Sequence, residues 1–330
     1  MAVAFIILLA LVLFLGAPIF AVMLGFTVLG DAQLERGFAE QFGGNLVKML
    51  GDATGEKASV LSTVPLFIFM GYIMAESRTA DRVVRAAQAG LGWQPGGLAI
   101  VTIFACALFT TFTGASGVTI VALGSLVMPS LLKEKYSERF SLGLVAGTGS
   151  VGLLFPPAVP LFVFGTVYGA AETLTKASRG GELISSGGFS TEKFLFAGIV
   201  PGLVLLGVLS VFAMVIAIRQ GVPRQPFDAK ALVAKTWHAL PEILIPFFII
   251  YGLASGMQIP EVASLAVVYV LFVEMVLYRD ITPRDLWKIT VESMALIGAI
   301  FIIILCASAL TDYFVNADIP HQLVAWMKTQ

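Results

Sequence analysis

The chain has 330 residues, of which 58% are hydrophobic and 12% charged, with a formal net charge of −1 and a mean hydropathy of +0.93. Soluble domains carry roughly a quarter charged residues, so a water-soluble fold cannot hide this much apolar surface. No basic face exists to grip nucleic acid, which is excluded as a partner.

Cys106 and Cys306 lie inside apolar runs, and His238 and His321 have no neighbour at ligand spacing. Disulfide frameworks and structural metal sites are therefore not expected. The expected fold class is an all-α polytopic membrane protein. Only helices of about 20 apolar residues or closed barrels satisfy their backbone in lipid, and runs without period-2 alternation exclude a barrel.

The first run, 2–30, lacks a basic leader and exceeds the roughly 7–15 residues of a signal-peptide core, so a retained span is expected at 3–29. In the connection that follows, Leu34, Phe38, Phe42, Leu46 and Leu50 recur every four residues, the pattern of an amphipathic helix lying in the interface. A second span is expected at 58–75. Beyond it, Asp81 with Arg78, Arg82 and Arg85 reads as a solvated cytoplasmic helix face.

Segment 96–132 is too long for one span and breaks at Thr113-Gly114-Ala115-Ser116-Gly117. Arg78, Arg82 and Arg85 precede it, and Lys133, Lys135 and Arg139 follow it. Basic residues concentrate on the cytoplasmic side, so a segment that starts and ends there is a re-entrant hairpin. Segment 140–168 breaks at Gly147-Thr148-Gly149-Ser150-Val151-Gly152 and again at Pro156-Pro157, where missing N–H groups prevent a continuous helix. It reads as a discontinuous transmembrane helix. The polar insertion at 170–193 reads as an outer loop. Further spans are expected at 194–218, 240–255, 262–277 and 289–311, and alternating loop charge puts the N-terminus in the cytoplasm.

The chemistry is expected at the two breaks. Half-helix N-termini present N–H groups to an anion, and unwound carbonyls can coordinate sodium. Gly114 and Gly117 permit unusual backbone angles, while Thr113, Ser116 and Thr119 add hydroxyls. Thr148, Gly149, Ser150 and Gly152 repeat that provision on the second break. The bland alternative is that these small residues only help helices pack. Glu242, Glu274 and Glu292 read as interfacial or paired carboxylates rather than a proton relay. Catalytic constellations of the G-x-S-x-G or phosphate-loop type are lacking, so no enzyme is expected.

Several runs then carry a family resemblance. Pro65-Leu66-Phe67-Ile68-Phe69-Met70-Gly71, Gly96-Gly97-Leu98-Ala99, Phe112 to Gly117 and Gly152-Leu153-Leu154-Phe155-Pro156-Pro157 stand in order along the chain. Ala197 to Gly202 and Ile259 to Ser264 follow. Together they resemble the large membrane subunit of tripartite ATP-independent periplasmic (TRAP) transporters, over nearly the whole chain. The resemblance implies an inverted-repeat, elevator-type carrier in the bacterial inner membrane, driven by sodium and free of other cofactors. It further implies a small four-helix membrane subunit and a periplasmic binding protein as partners, and small organic anions, chiefly carboxylates, as cargo.

Carried onto this chain, the substrate and sodium positions implied are Thr113, Gly114, Ala115, Ser116, Gly117, Thr119, Thr148, Gly149, Ser150, Gly152, Pro156 and Pro157, with sodium at Gly114, Ser116, Gly149 and Gly152. Ala115 and Ala158 stand where the family often has serine. The implied first repeat occupies 1–218 and an incomplete second repeat 219–330. The second hairpin and second broken helix would begin near Gln330, so these residues alone are not expected to transport. Rival readings are a channel or scaffold subunit, and an anion/sodium symporter that needs no binding protein.

Overall fold

The computed structural model describes residues 11, 13–33, 43–44, 47, 63–114, 116–158, 160–161, 164–165, 194, 196–223, 228–319 and 325–328, with the backbone alone at 31–33 and 316. The expected interfacial helix around Leu34 to Leu50, the polar insertion at 170–193, Ala115 and His321 lie outside the described residues. Every regular element among the described residues is helical.

The chain divides into two compact units, Met1–Ala58 with Met294–Gln330, and Ser59–Ser293. In the first unit lies α1 (Ile19–Gln33). A Cβ on Gly30 would stand 2.2 Å from the Tyr313 ring, so only glycine lets α1 approach that aromatic.

The second unit contains α2 (Thr63–Glu76), α3 (Thr79–Leu91), α4 (Gly97–Thr113), α5 (Ser116–Lys133) and α6 (Glu138–Thr148), then a 3-10 turn at Val151–Leu154. There follow α7 (Ile199–Gln220), α8 (Ala229–His238), α9 (Leu240–Ala254), and α10 (Ile259–Leu271), which widens into a π turn at Phe272–Leu277. α11 (Pro283–Asn316) begins in this unit and continues into the other.

α4 is the centre of the second unit, packed by α2, α3, α5, α6, α7 and the 3-10 turn. All its residues except Phe104 and Leu108 are buried. Around it Phe67, Ile68, Met70, Phe109, Phe112 and Leu123 are fully enclosed. α7 has the opposite character. It buries Gly202, Leu206, Ala213 and Ala217 and turns Val200, Val204, Val208, Val211 and Phe212 outward. Mostly small residues inside, with Leu206 the exception among the four, and bulky apolar residues outside suit a helix whose solvent is lipid. Among the described residues, four helices are long and apolar enough to cross a membrane, or up to five if the bent pair α8 and α9 is one span.

Caps set the ends of several helices. Gln258 and Glu261 cap reciprocally, so α10 starts earlier than its apolar run. Thr282 and Asp285 likewise start α11 ahead of the expected 289. Hydropathy does not predict α8, which forms because the Asp228 carboxylate accepts from the Lys230 and Ala231 N–H groups.

Candidate functional site

The segment 96–132 forms the expected helical hairpin, with α4 and α5 packed against each other. Gly96 at φ 80° and Gly114 at φ 63° occupy the left-handed region at the two ends of α4, where L residues with a Cβ are disfavoured. The Gly114 N–H still donates to the Thr110 carbonyl, closing the last turn before the chain reverses. Just inside the tip, the Thr113 and Thr119 hydroxyls lie 3.0 Å apart, both buried.

The broken helix meets this hairpin at its break. α6 stops at Thr148, the 3-10 turn follows, and the chain turns at a cis Pro156-Pro157 bond. The Thr110 hydroxyl lies 2.7 Å from the Gly149 carbonyl oxygen and 2.8 Å from that of Cys106. The Thr111 hydroxyl lies 3.0 Å from the Gly152 carbonyl and 2.8 Å from that of Ala107. Backbone packs on backbone here. A Cβ on Gly152 would stand 2.1 Å from the Ala107 oxygen, and one on Gly149 would stand 2.4 Å from Ile120 Cγ1.

Of the positions expected from sequence, Gly149 and Gly152 are brought against α4 and Thr113 is brought to Thr119. Gly149 and Gly152 present carbonyls to α4; the Gly152 carbonyl also accepts from the Phe155 N–H at 3.1 Å, whereas the Gly149 carbonyl keeps a lone pair beyond its threonine contact. The Thr148 hydroxyl turns back to the Leu144 carbonyl, 2.7 Å away, within its own helix. Ser150 and Gly117 are exposed, Ser116 and Gly114 are half-buried, and Pro156, Pro157 and Ala158 are buried. Thr110 and Thr111 were absent from the sequence expectation. Two adjacent hydroxyls one turn before a glycine break in an otherwise apolar arm are the signal that marks them.

A second polar constellation corrects the reading of Arg82 as part of a solvated face. From α3 its Nε donates to Glu242 Oε1 on α9 and its Nη1 to Asp280 Oδ2. Its Nη2 donates to both oxygens of Glu274 in the π turn, at 2.8 and 2.9 Å. The Thr79 hydroxyl adds a 2.6 Å bond to Glu274 Oε1, and the guanidinium carbon stands 3.9 Å over the Tyr278 ring centroid. Burial opposes the Arg82 charge, but the hydrogen bonds with Asp280 and Glu274 and the fields of Glu274 and Glu242 hold it above its ordinary value. Burial pushes the Tyr278 phenol up to about 12, with Glu242 adding to the effect. That phenol donates to the His238 carbonyl. Glu242 and Glu274 are accordingly paired, and Glu292 stands 3.7 Å from Lys288 on the surface. Asp81 and Arg85 do form an exposed pair, at 2.8 Å.

The family model for the DctM component of tripartite ATP-independent periplasmic transporters matches residues 2–330. The chain is 32% identical over 273 residues to the ectoine/5-hydroxyectoine TRAP transporter large permease protein UehC of Ruegeria pomeroyi, covering 82% of this chain and 59% of that protein. It is 29% identical over 279 residues to the C4-dicarboxylate TRAP transporter large permease protein DctM of Rhodobacter capsulatus, covering 83% and 62%. Against the isethionate TRAP transporter permease protein DctMQ of Oleidesulfovibrio alaskensis it is 25% identical over 270 residues, covering 81% and 40%. The chain spans about three fifths of the length of the first two relatives.

Proposed function

Because the chain belongs to the DctM component family of tripartite ATP-independent periplasmic transporters, a family of membrane transport permeases and not of enzymes, we propose that it works in a sodium-coupled carrier for small organic anions. The binding region is the junction of the hairpin tip with the broken helix. Substrate contacts fall to Thr113 through Gly117, Thr119, Thr148, Ser150, Pro156 and Pro157. Sodium is held by Gly114, Ser116, Gly149 and Gly152.

One observation carries this reading: Thr110 and Thr111 hold the Gly149 and Gly152 carbonyls at the interruption of the helix. The Gly149 carbonyl, freed from its helical ladder, met by the buried Thr110 hydroxyl and still possessing a lone pair, is a ready ligand for a hard monovalent cation. The enclosed α4 makes hairpin and broken helix one interlocked mass, suited to elevator-type movement. The first repeat is assigned to 1–218 and the second begins at 219, with the N-terminus cytoplasmic in a bacterial inner membrane. Partners are a small four-helix membrane subunit and a periplasmic binding protein that delivers the anion.

The test is uptake into proteoliposomes holding the full-length permease, the small subunit and the binding protein, using radiolabelled C4-dicarboxylate, ectoine and isethionate. An inward sodium gradient should drive accumulation of at least one, and a potassium gradient none. Accumulation without the binding protein would favour an autonomous symporter, conductance without accumulation would favour a channel, and no flux of any kind would overturn the reading.

A further inference from the structure

The Arg82 cluster carries more negative than positive charge. Glu242, Glu274 and Asp280 surround a single guanidinium, and Glu242 and Glu274 are each only 1% exposed. With every group ionised, three negative charges face one positive charge in a region from which water is largely excluded.

The three carboxylates are not equally supported. Glu274 accepts at both oxygens from Arg82 and again from the Thr79 hydroxyl. Asp280 has a side chain 15% exposed, within reach of solvent. Glu242 has the Arg82 Nε as its side-chain donor at Oε1, while its Oε2 is buried with no hydrogen-bond partner in the protein. A buried charged oxygen without a donor costs far more than a neutral hydroxyl in the same place. The positive end of α9 and the N–H of Glu242 itself favour the anion, but burial opposes it and Pro241 beside Glu242 removes one N–H of that helix end.

We infer that Glu242 is a proton-binding site, holding a proton at neutral pH while Arg82 remains charged and is neutralised by Glu274 and Asp280. The titratable and charged groups facing it are Arg82 from α3, Tyr269 from α10, Glu274 in the π turn, and Tyr278 and Asp280 just beyond. A metal ion is the other way to neutralise such a cluster. However, no group of three His, Cys, Asp or Glu side chains is arranged to hold one among the described residues. Because the cluster ties α3 to α9 and to the end of α10, release of the proton would load these contacts with an unpaired charge. The inference does not depend on the carrier reading.

Infrared spectroscopy of the purified full chain tests it, through the carbonyl stretch of a protonated carboxylic acid. Wild type at neutral pH should show that band, E242Q should lose it, and E292Q, which removes a surface carboxylate outside the cluster, should keep it. From mildly acidic to alkaline pH, the thermal midpoint of wild type should fall more than that of E242Q, whose amide mimics the protonated acid. Absence of the band in wild type, a result that needs no variant to fold, would overturn the inference. So would persistence of the band in E242Q, its loss in E292Q, or a sodium-dependent rise in thermal midpoint without any acid band.

Discussion

Arg82 donates to both carboxylate oxygens of Glu274, at 2.8 and 2.9 Å, across 192 residues of chain. The same guanidinium reaches Glu242 across 160 residues and Asp280 across 198. One side chain thereby ties α3 to α9 and to the turn that ends α10. Removing one partner of a buried ion pair leaves uncompensated charge, at a cost of about 3–5 kcal/mol. Arg82→Met should therefore lower the thermal midpoint of the detergent-solubilised protein sharply. Arg85→Ala, which removes only a side chain 64% exposed in its pair with Asp81, should change stability by less than about 0.5 kcal/mol.

Thr110→Val keeps the shape of the side chain and removes its hydroxyl. The expected loss is about 1 kcal/mol, the net value of a buried hydrogen bond. Because the Gly149 carbonyl loses its positioning donor, sodium-dependent uptake should require more sodium for half-maximal rate, whereas Thr110→Ser should restore wild-type behaviour. Uptake by the full-length permease with its partners, measured against sodium concentration, checks both.

Gly152 and Gly147 separate close approach from helix propensity. Gly152→Ala would put a Cβ 2.1 Å from the Ala107 carbonyl, against backbone that cannot yield cheaply, so a loss of about 1–3 kcal/mol is expected from overpacking. At Gly147 a Cβ meets nothing within 4 Å, and Ala there should stabilise α6 by about 0.5–1 kcal/mol. Paired thermal melts of the two variants decide the matter.

Asp228→Ala removes the cap from α8. Two N–H groups lose their acceptor, at a cost of about 1 kcal/mol. Amide hydrogen exchange should rise at 229–233 and remain unchanged in α4.

Much of the junction was legible along the chain. Gly114 announces a reversal because other residues resist its backbone angle, and Pro156-Pro157 announces a break because neither residue has an N–H. Thr110 and Thr111 were not legible as anchors. A threonine in an apolar helix ordinarily bonds the carbonyl four residues back, and both do so here; their second acceptors belong to a segment about forty residues away. Glu242 and Glu274 were legible as paired but not with a partner. Arg82 shares a helix with Asp81 and Arg85, and its sequence neighbourhood is that of a surface.

Residence in the membrane, the all-helical class and the two places where helices must stop follow from the sequence by itself. Hydropathy, proline and glycine act within a few residues of where they stand. The choice of which hydroxyl holds which carbonyl, and which arginine serves three carboxylates, belonged to the tertiary structure. Hydrogen bonds and charges in a low-dielectric interior answer to whatever packing brings within about 3 Å, and here that packing joins residues up to 198 positions apart.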